Sequence, residues 1–213
     1  MPAERLFVFG ASGHAKVVID ILERLPDVSV AFAVDDAPGA KGGVLSGHPV
    51  IGGRDELLVR RDAVSGGIVT IGDNAARCSV AAWLVAQGMP LARAIHPAAA
   101  VASRVDIGDG AVVMAGAVIN SDTAIGCNAI INTGATVDHD CVIGDGAHIA
   151  PGCHLCGGVY VGARSFLGAG TVVIPGVRIG ADAVIGAGST VIADVADGAR
   201  VAGTPARPLG GGR

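Results

Sequence analysis

Every sixth residue between Ile95 and Val191 is aliphatic, without a single interruption. A small residue stands two positions before most of these aliphatic residues, and a glycine directly follows many of them. A hexapeptide period of this kind predicts a parallel β-helix. Three hexapeptides form one triangular coil of eighteen residues, in which the aliphatic side chain points into a narrow prism and the small one lies where two flat faces meet. We therefore predict a left-handed parallel β-helix.

The first ninety residues lack this period and alternate between strand-like and helix-like patterns. Short apolar runs predict buried strands, and apolar residues three and four apart predict amphipathic helices. The predicted elements are a strand at Leu6–Gly10, a helix at Ala15–Leu25, a strand at Val28–Val34, a Gly- and Pro-rich loop, a strand at Gly67–Ile71 and a helix at Ala75–Ala86. This order is typical of a parallel sheet. The sequence thus predicts a Rossmann-like α/β domain at residues 1–90 and a β-helix domain at residues 91–213.

The composition argues against several kinds of partner. The formal net charge is −4, aromatic residues make up only 3% of the chain, and no run of basic residues occurs. We therefore expect no nucleic-acid surface. The sequence does not open with a leader-like segment, and no apolar stretch approaches the ~20 residues of a membrane span. The expectation is a cytoplasmic protein without membrane contact.

The five cysteines are an odd number, which argues against a disulfide framework. Cys153 and Cys156 have CxxC spacing with His154 between them, but a second pair of ligands is missing, so we expect no metal. Cys141 and Cys153 also fall in the small inward position of the repeat. For these two residues a structural role is favoured over a catalytic one.

The segment Gly10–His14, with the sequence GASGH, lies between a predicted strand and a predicted helix. Backbone N–H groups at a helix N-terminus bind anions, and glycines let a diphosphate approach closely. A dinucleotide fingerprint would have glycine in place of Ser12, which disfavours NAD. Polar residues also follow the next two strands, and the carboxyl ends of parallel strands share one edge of a sheet. The residues of this predicted nucleotide-sugar site are Gly10, Ser12, Gly13, His14, Asp35, Asp36, Gly72 and Asn74.

His139 is the candidate general base. It lies between Asp138 and Asp140, and a neighbouring carboxylate can orient an imidazole and stabilise its protonated form. Adding one coil of eighteen residues to 139 gives Gly157, so the two residues are predicted to stack side by side. A bare N–H beside the base would suit an oxyanion donor. The alternatives are a solvated turn histidine and an ordinary turn glycine.

Four features together resemble a known family: the hexapeptide phase, the GASGH segment, the segment INTGATVDHDCVIGDGAHIAPG at residues 131–152, and the terminal GTPAR at residues 203–207. They resemble the sugar acyltransferases related to the sialic-acid O-acetyltransferases, and most closely the bacterial nucleotide-aminosugar N-acetyltransferases. The resemblance implies acetyl-CoA as co-substrate and a homotrimer with active sites between subunits. It also implies His139 as base, Asp140 as its orienting partner and Gly157 as oxyanion donor.

For the binding residues, the resemblance places Asn132 near the acceptor sugar and His148 near acetyl-CoA. It extends the acetyl-CoA groove along Ala169 and Ala187 to Pro205 and Arg207. The family has lysine where this chain has Arg207, which keeps a positive charge for a CoA phosphate.

The function this predicts is transfer of an acetyl group from acetyl-CoA to the 4-amino group of a UDP- or GDP-linked 4-amino-4,6-dideoxy sugar, for bacterial glycan biosynthesis. Transfer to a sugar hydroxyl, as in the sialic-acid branch, is the first alternative. A zinc hydratase like the γ-type carbonic anhydrases, with His139, His148 and His154 as ligands, is the second. A non-catalytic scaffold that binds nucleotide sugars is the third.

Overall fold

The computed structural model describes residues 4–209. It divides into two compact units, one ending at Pro97 and the other beginning at Ala98. The period of the sequence changes somewhat earlier, near residue 90. Within residues 4–209, no helix is both long enough and apolar enough to cross a membrane.

A parallel sheet forms the centre of the N-terminal unit, as predicted, and its three strands lie in the order Val28–Val34, Glu4–Phe9, Gly66–Val69. The elements are β1 (Glu4–Phe9), α1 (Gly13–Glu23), β2 (Val28–Val34), β3 (Val44–Leu45), β4 (His48–Pro49), α2 (Arg54–Val59), a 3₁₀ turn (Arg61–Ala63), β5 (Gly66–Val69) and α3 (Asn74–Ala86). The segment expected to be only a loop contains the antiparallel hairpin β3–β4 and α2. These elements are too short to produce a periodic sequence signal.

The core of this unit is aromatic on one side of the sheet, where Phe7, Phe9 and Phe32 are buried. A Cβ on Gly67 would overlap the ring of Phe7. Glycine is therefore required at this point of β5 by the close approach of the ring. The sheet thus holds the ends of its strands, and the polar residues that follow them, in fixed positions.

The β-helix is built from strands of two residues each. After β6 (Ala94–Ile95), which belongs to the N-terminal unit, they are β7 (Ala100–Val101), β8 (Asp106–Ile107), β9 (Val112–Val113), β10 (Val118–Ile119), β11 (Ala124–Ile125), β12 (Ile130–Ile131), β13 (Thr136–Val137), β14 (Val142–Ile143), β15 (His148–Ile149), β16 (His154–Leu155), β17 (Tyr160–Val161), β18 (Phe166–Leu167), β19 (Val172–Val173), β20 (Arg178–Ile179), β21 (Val184–Ile185) and β22 (Thr190–Val191). Parallel partners are eighteen residues apart, as Ile119 with Val137 and Val137 with Leu155.

Three sheets form the faces of the prism. The first face contains β7, β10, β13, β16, β19 and β22, the second contains β8, β11, β14, β17 and β20, and the third contains β9, β12, β15, β18 and β21. The predicted coil of three hexapeptides is confirmed. A turn at each edge passes the chain from one face to the next, and residues eighteen apart lie at the same edge.

The interior of the prism is filled by the two predicted sets of side chains, the aliphatic residues of the six-residue period and the small residues two positions before them. From Val113 to Val191 every sixth aliphatic residue is at most 3% exposed. The small residues are buried as well, including Cys141 and Cys153 at 0%. Burial raises the pKa of both thiols, so both side chains remain protonated and unreactive near neutral pH. All five cysteines are free.

The C-terminal segment covers the last coil. On the third face, β23 (Arg200–Ala202) adds a parallel strand to β21, and β24 (Arg207–Pro208) then pairs antiparallel with β23. On the first face, the N–H and carbonyl of Thr190 bond to Gly203 and Ala206. On the second face, Ile179 forms a bridge with Val195. The terminal backbone groups of the stack thus find partners within the same chain.

Candidate active site

His139 lies in the turn Asp138–Cys141, which joins the first face to the second; we call this segment the dyad turn. Asp140 has a φ of 58°, a left-handed conformation that aspartate tolerates better than most residues. Its Oδ2 lies 2.7 Å from Nδ1 of His139. The predicted histidine–carboxylate contact is therefore present, and Nε2 is the ring nitrogen left for a substrate.

Carboxylates raise the pKa of the exposed His139 imidazole above its ordinary value. The hydrogen bond to Asp140 has the largest effect, and the negative charge of Asp138 comes next, with a smaller contribution from Asp122. Asp138 also accepts hydrogen bonds from the Asn120 amide and from the backbone N–H of His139, both at 2.8 Å. The turn thus holds an imidazole whose protonated form is stabilised by its surroundings.

Gly157 lies directly against His139 on the next coil, as the coil length predicts. A Cβ on Gly157 would lie 2.6 Å from Cε1 and 2.8 Å from Nε2 of His139. The left-handed residue of this turn is Gly158, with a φ of 70°, so the backbone does not require glycine at 157. Within residues 4–209, the Gly157 N–H has no hydrogen-bond acceptor. Glycine here leaves space for the imidazole and exposes an N–H beside it.

His148 and Asn132 are brought together on the third face. Nδ2 of Asn132 lies 3.0 Å from Nε2 of His148. The ring of Phe166 meets the imidazole of His148 edge to face, with 5.2 Å between centroids. The dyad turn lies at the edge opposite this face, so a single chain does not bring these residues to His139.

The residues predicted for the acetyl-CoA groove lie along another edge of the prism. Ala169 and Ala187 occupy equivalent turns between the third face and the first, one coil apart, and both are exposed. Oγ1 of Thr204 lies 3.3 Å from the carbonyl oxygen of Gly188, the residue after Ala187. This contact brings the exposed Pro205 to the same edge. Arg207 is also exposed. The structure therefore aligns these four predicted residues along one edge and the end of the stack.

The three histidines of the zinc hypothesis are separated within one chain. His139 lies at an edge, His148 lies on the third face, and His154 lies on the first face, where its Nδ1 is 2.9 Å from Oγ1 of Thr136. In the part of the chain that the structure describes, no group of three His, Cys, Asp or Glu side chains could hold a metal ion.

In the N-terminal unit, residues 10–12 connect β1 to α1, and we call this segment the glycine loop. It leaves the N-terminus of α1 open. Gly10 follows β1 with a φ of 113°, and a Cβ there would lie 3.0 Å from both Thr70 O and Ile71 Cγ1. Ser12 caps the helix without a side-chain hydrogen bond, Gly13 begins it, and its first turn has no acidic residue. The N–H groups at this terminus can therefore attract an anion such as a diphosphate.

Asp35 ties the glycine loop to the end of β2. Its Oδ2 accepts the N–H of Ala11 at 2.7 Å, and its Oδ1 accepts the N–H of Ala37 at 2.8 Å. One oxygen therefore holds the glycine loop, and the other holds the backbone that follows β2. Asp35 is placed to organise this loop in addition to any contact with a nucleotide.

Asp36 is bound by Arg54, a residue that the sequence analysis did not single out. Oδ2 of Asp36 lies 3.0 Å from Nε of Arg54, and Oδ1 accepts the backbone N–H of Arg54 at 3.1 Å. The Arg54 guanidinium lies over the Trp83 ring, 4.7 Å from its centroid. Arg54 therefore presents a positive charge beside the acid expected to meet the nucleotide.

A buried arginine holds Gly72 and Asn74 in place. Arg77 donates to the carbonyls of Ile71 and Gly72 and to Oδ1 of Asn74, at 2.8–3.2 Å. Burial lowers the pKa of Arg77 to about 10. Burial, together with the charge of Arg77, lowers the pKa of His14 to about 4. His14 is therefore neutral near pH 7.

Comparison with known proteins finds two family models that match separate parts of the chain. The PglD N-terminal domain family matches residues 5–84, and the bacterial transferase hexapeptide family matches residues 122–157 and 158–193. No curated protein sequence matches the chain. PerB, the perosamine N-acetyltransferase of Caulobacter crescentus, has been solved in complex with CoA and GDP-perosamine. One of these structures is of a histidine-to-asparagine variant, which is 44% identical to this chain over 96% of each chain, with a TM-score of 0.92.

The acetyltransferase domain of PglB from Neisseria gonorrhoeae, solved with acetyl coenzyme A, is 36% identical. The comparison covers 97% of this chain and 99% of the PglB domain, with a TM-score of 0.88. WeeI from Acinetobacter baumannii is 25% identical over 96% of this chain and 99% of its own, with a TM-score of 0.67.

The stacked coils and the histidine–aspartate turn define the class of protein, a left-handed β-helix acyltransferase of the hexapeptide-repeat type. Within this class, the chain belongs to the family of nucleotide-aminosugar N-acetyltransferases that includes PerB and the acetyltransferase domain of PglB. Membership of this family favours the transferase over the hydratase and scaffold hypotheses.

Proposed function

We propose that the protein transfers the acetyl group of acetyl-CoA to the 4-amino group of a nucleotide-linked 4-amino-4,6-dideoxy sugar, with a GDP sugar as the first candidate. The observation that carries the proposal is the contact of His139 with Asp140 and Gly157, in a chain 44% identical to perosamine N-acetyltransferase over 96% of its length. Acetyl-CoA and nucleotide sugars are cytoplasmic metabolites, so the proposed reaction takes place in the cytoplasm, as a step of glycan biosynthesis.

In the proposed mechanism, Nε2 of His139 accepts the proton that the sugar amine loses as its nitrogen bonds to the thioester carbon. Asp140 holds Nδ1 and stabilises the imidazolium. The Gly157 N–H donates to the thioester oxygen as that atom gains negative charge. His139 then gives the proton to the sulfur as the carbon–sulfur bond breaks. The products are the N-acetyl sugar and CoA.

The proposal includes a homotrimer with active sites between subunits. His148 and Asn132 lie on the third face, away from His139 of the same chain, so a neighbouring subunit is needed to bring the two sets together. Large apolar side chains support packing between prisms, because Phe166 on the third face and Val172 on the first are each 36% exposed. The edge that carries Ala169, Ala187 and the terminal Arg207 would then line the acetyl-CoA groove.

The test is an acetyl-transfer assay that follows free CoA thiol. GDP- and UDP-linked 4-amino sugars and the matching 4-hydroxy sugar serve as acceptors. We expect transfer to an amine, and loss of His139 in the His139→Ala variant should lower kcat by ~10²–10⁴. The His154→Ala variant is the control, because the mechanism does not use His154 whereas the zinc hypothesis does. Equal loss in both variants, or transfer only to the hydroxyl, would contradict the proposal.

A further inference from the structure

At the two edges of the prism that do not carry His139, most turns are closed by one backbone hydrogen bond. The N–H of the small inward residue donates to the carbonyl three residues earlier, as Ala135 does to Asn132 at 3.1 Å and Ala147 does to Gly144 at 3.1 Å. This bond fixes the width of the turn and thereby the direction of the side chains on it.

Among residues 4–209, the turns at the edge that carries His139 lack this bond, and the dyad turn is closed by a hydroxyl from the preceding coil. The Cys141 N–H donates to Oγ1 of Thr123 at 3.2 Å, and the same hydroxyl donates to the carbonyl of Asp138 at 2.8 Å. Thr123 itself occupies the small inward position and is 2% exposed. A buried side chain thus lies between two backbone groups of the dyad turn and hydrogen-bonds to both.

From this arrangement we infer that Thr123 is a positioning residue for the His139–Asp140 pair. The inference rests on the proposed function of that pair. Without the hydroxyl, the Asp138 carbonyl and the Cys141 N–H would be left unsatisfied in the interior, which is costly. The turn would then move until these groups find other partners, and a shift of the order of 1 Å is enough to misplace a catalytic group. That movement rotates the peptide groups on either side of the dyad.

The electrostatic surroundings of His139 provide a readout of this movement that does not depend on turnover. Asp140, Asp138 and Asp122 all raise the pKa of His139, and Asp122 is itself paired with Arg104 at 2.7 Å. The largest contribution to the raised pKa comes from the hydrogen bond with Asp140. A movement of the turn would lengthen this bond. The imidazole pKa should therefore fall toward its ordinary value when the hydroxyl is removed.

The experiment compares Thr123→Val, which keeps the shape of the side chain, with Thr123→Ser, which keeps the hydroxyl. With Thr123→Val we expect kcat to fall about 10–100-fold, in line with displacement of a catalytic group by ~1 Å. The KM for acetyl-CoA should stay within about twofold, and the pH profile should move to lower pH together with the His139 pKa measured by NMR. Thr123→Ser should restore the wild-type values.

Ser165→Ala is the matched control. The Ser165 hydroxyl bridges a turn remote from the dyad in the same way, accepting the Ala183 N–H and donating to the Gly180 carbonyl. It should lower stability without changing kcat or the pH profile. Should Thr123→Val fail to fold, Thr123→Ala replaces it, because alanine occupies the same inward position in many other turns.

Wild-type kcat and wild-type His139 pKa in a folded Thr123→Val or Thr123→Ala variant would overturn the inference. Equal loss of kcat in Ser165→Ala would also overturn it, since the effect would then belong to the β-helix as a whole. Failure of the proposed function is distinguishable, because the wild-type protein would then transfer no acetyl group while the NMR comparison still tests the role of Thr123.

Discussion

Replacement of Gly157 by alanine adds one methyl group at the point where the imidazole of His139 lies. The added Cβ would be 2.6 Å from Cε1, whereas ordinary van der Waals contact begins at 3.4 Å, so the ring must retreat by about 3.4 − 2.6 = 0.8 Å. The backbone gives no reason for wider damage, because equivalent turn positions elsewhere hold alanine, as at Ala163 and Ala181. The perturbation is thus confined to the position of the base.

A displacement close to 1 Å at a reacting group can lower the rate by ~10². We therefore expect Gly157→Ala to lower kcat about 100-fold, while the free energy of unfolding changes by no more than ~0.5 kcal/mol, the usual range for surface positions. The assay is steady-state acetyl transfer with both substrates varied, together with urea unfolding of the same preparation. The KM for the nucleotide sugar should change little, since most of its predicted binding residues are in the N-terminal unit.

A double-mutant cycle tests whether the effect acts through His139. If it does, Gly157→Ala should have little further effect in a His139→Ala background. Additive losses in the double variant would refute the steric explanation, because alanine retains the N–H and the methyl group would have no ring left to displace. Wild-type kcat in the single variant would refute it as well.

Three further predictions concern charge and pH. Asp140→Asn keeps the shape of the left-handed residue but removes its charge, so kcat should fall and the rising limb of the pH–rate profile should move to lower pH; Asp182→Asn, at an equivalent turn position, should leave both unchanged. The pKa of His14 is about 4 in the folded protein against an ordinary value of 6.5. The unfolded chain therefore binds this proton more readily, and stability of the order of 3 kcal/mol should be lost as the pH falls from 6.5 toward 4; urea unfolding should show the loss in wild type and not in His14→Asn. Asp35→Asn loosens the glycine loop, so isothermal titration should show weaker binding of the nucleotide sugar, with unchanged binding of acetyl-CoA.

The sequence was most informative where the chain repeats. A fixed coil length places residue 157 against residue 139 and turns Cys141 inward, so simple addition predicts contacts between residues far apart in the chain. The role of Thr123 was not predicted, although the same addition places it at the dyad turn. A threonine in the small inward position fits the pattern as well as alanine does, and only the coordinates show where its hydroxyl bonds.

The N-terminal unit shows where such prediction ends. Asp36 could be placed at the end of a strand, but its pairing with Arg54 could not be anticipated. Arg54 follows an irregular segment without a period, and its approach to Trp83 depends on how α2 and α3 pack on the sheet. Contacts that depend on tertiary packing leave no regular spacing in the sequence.

The segment that covers the last coil has a consequence for assembly. In a parallel stack, the final coil would present a complete row of unsatisfied backbone donors and acceptors, ready to add the first coil of another molecule. Residues 195–208 occupy that row, and β24 reverses direction and brings a proline to its outer side. End-to-end addition of another molecule at this row is thereby blocked, because its backbone groups already have partners within the same chain.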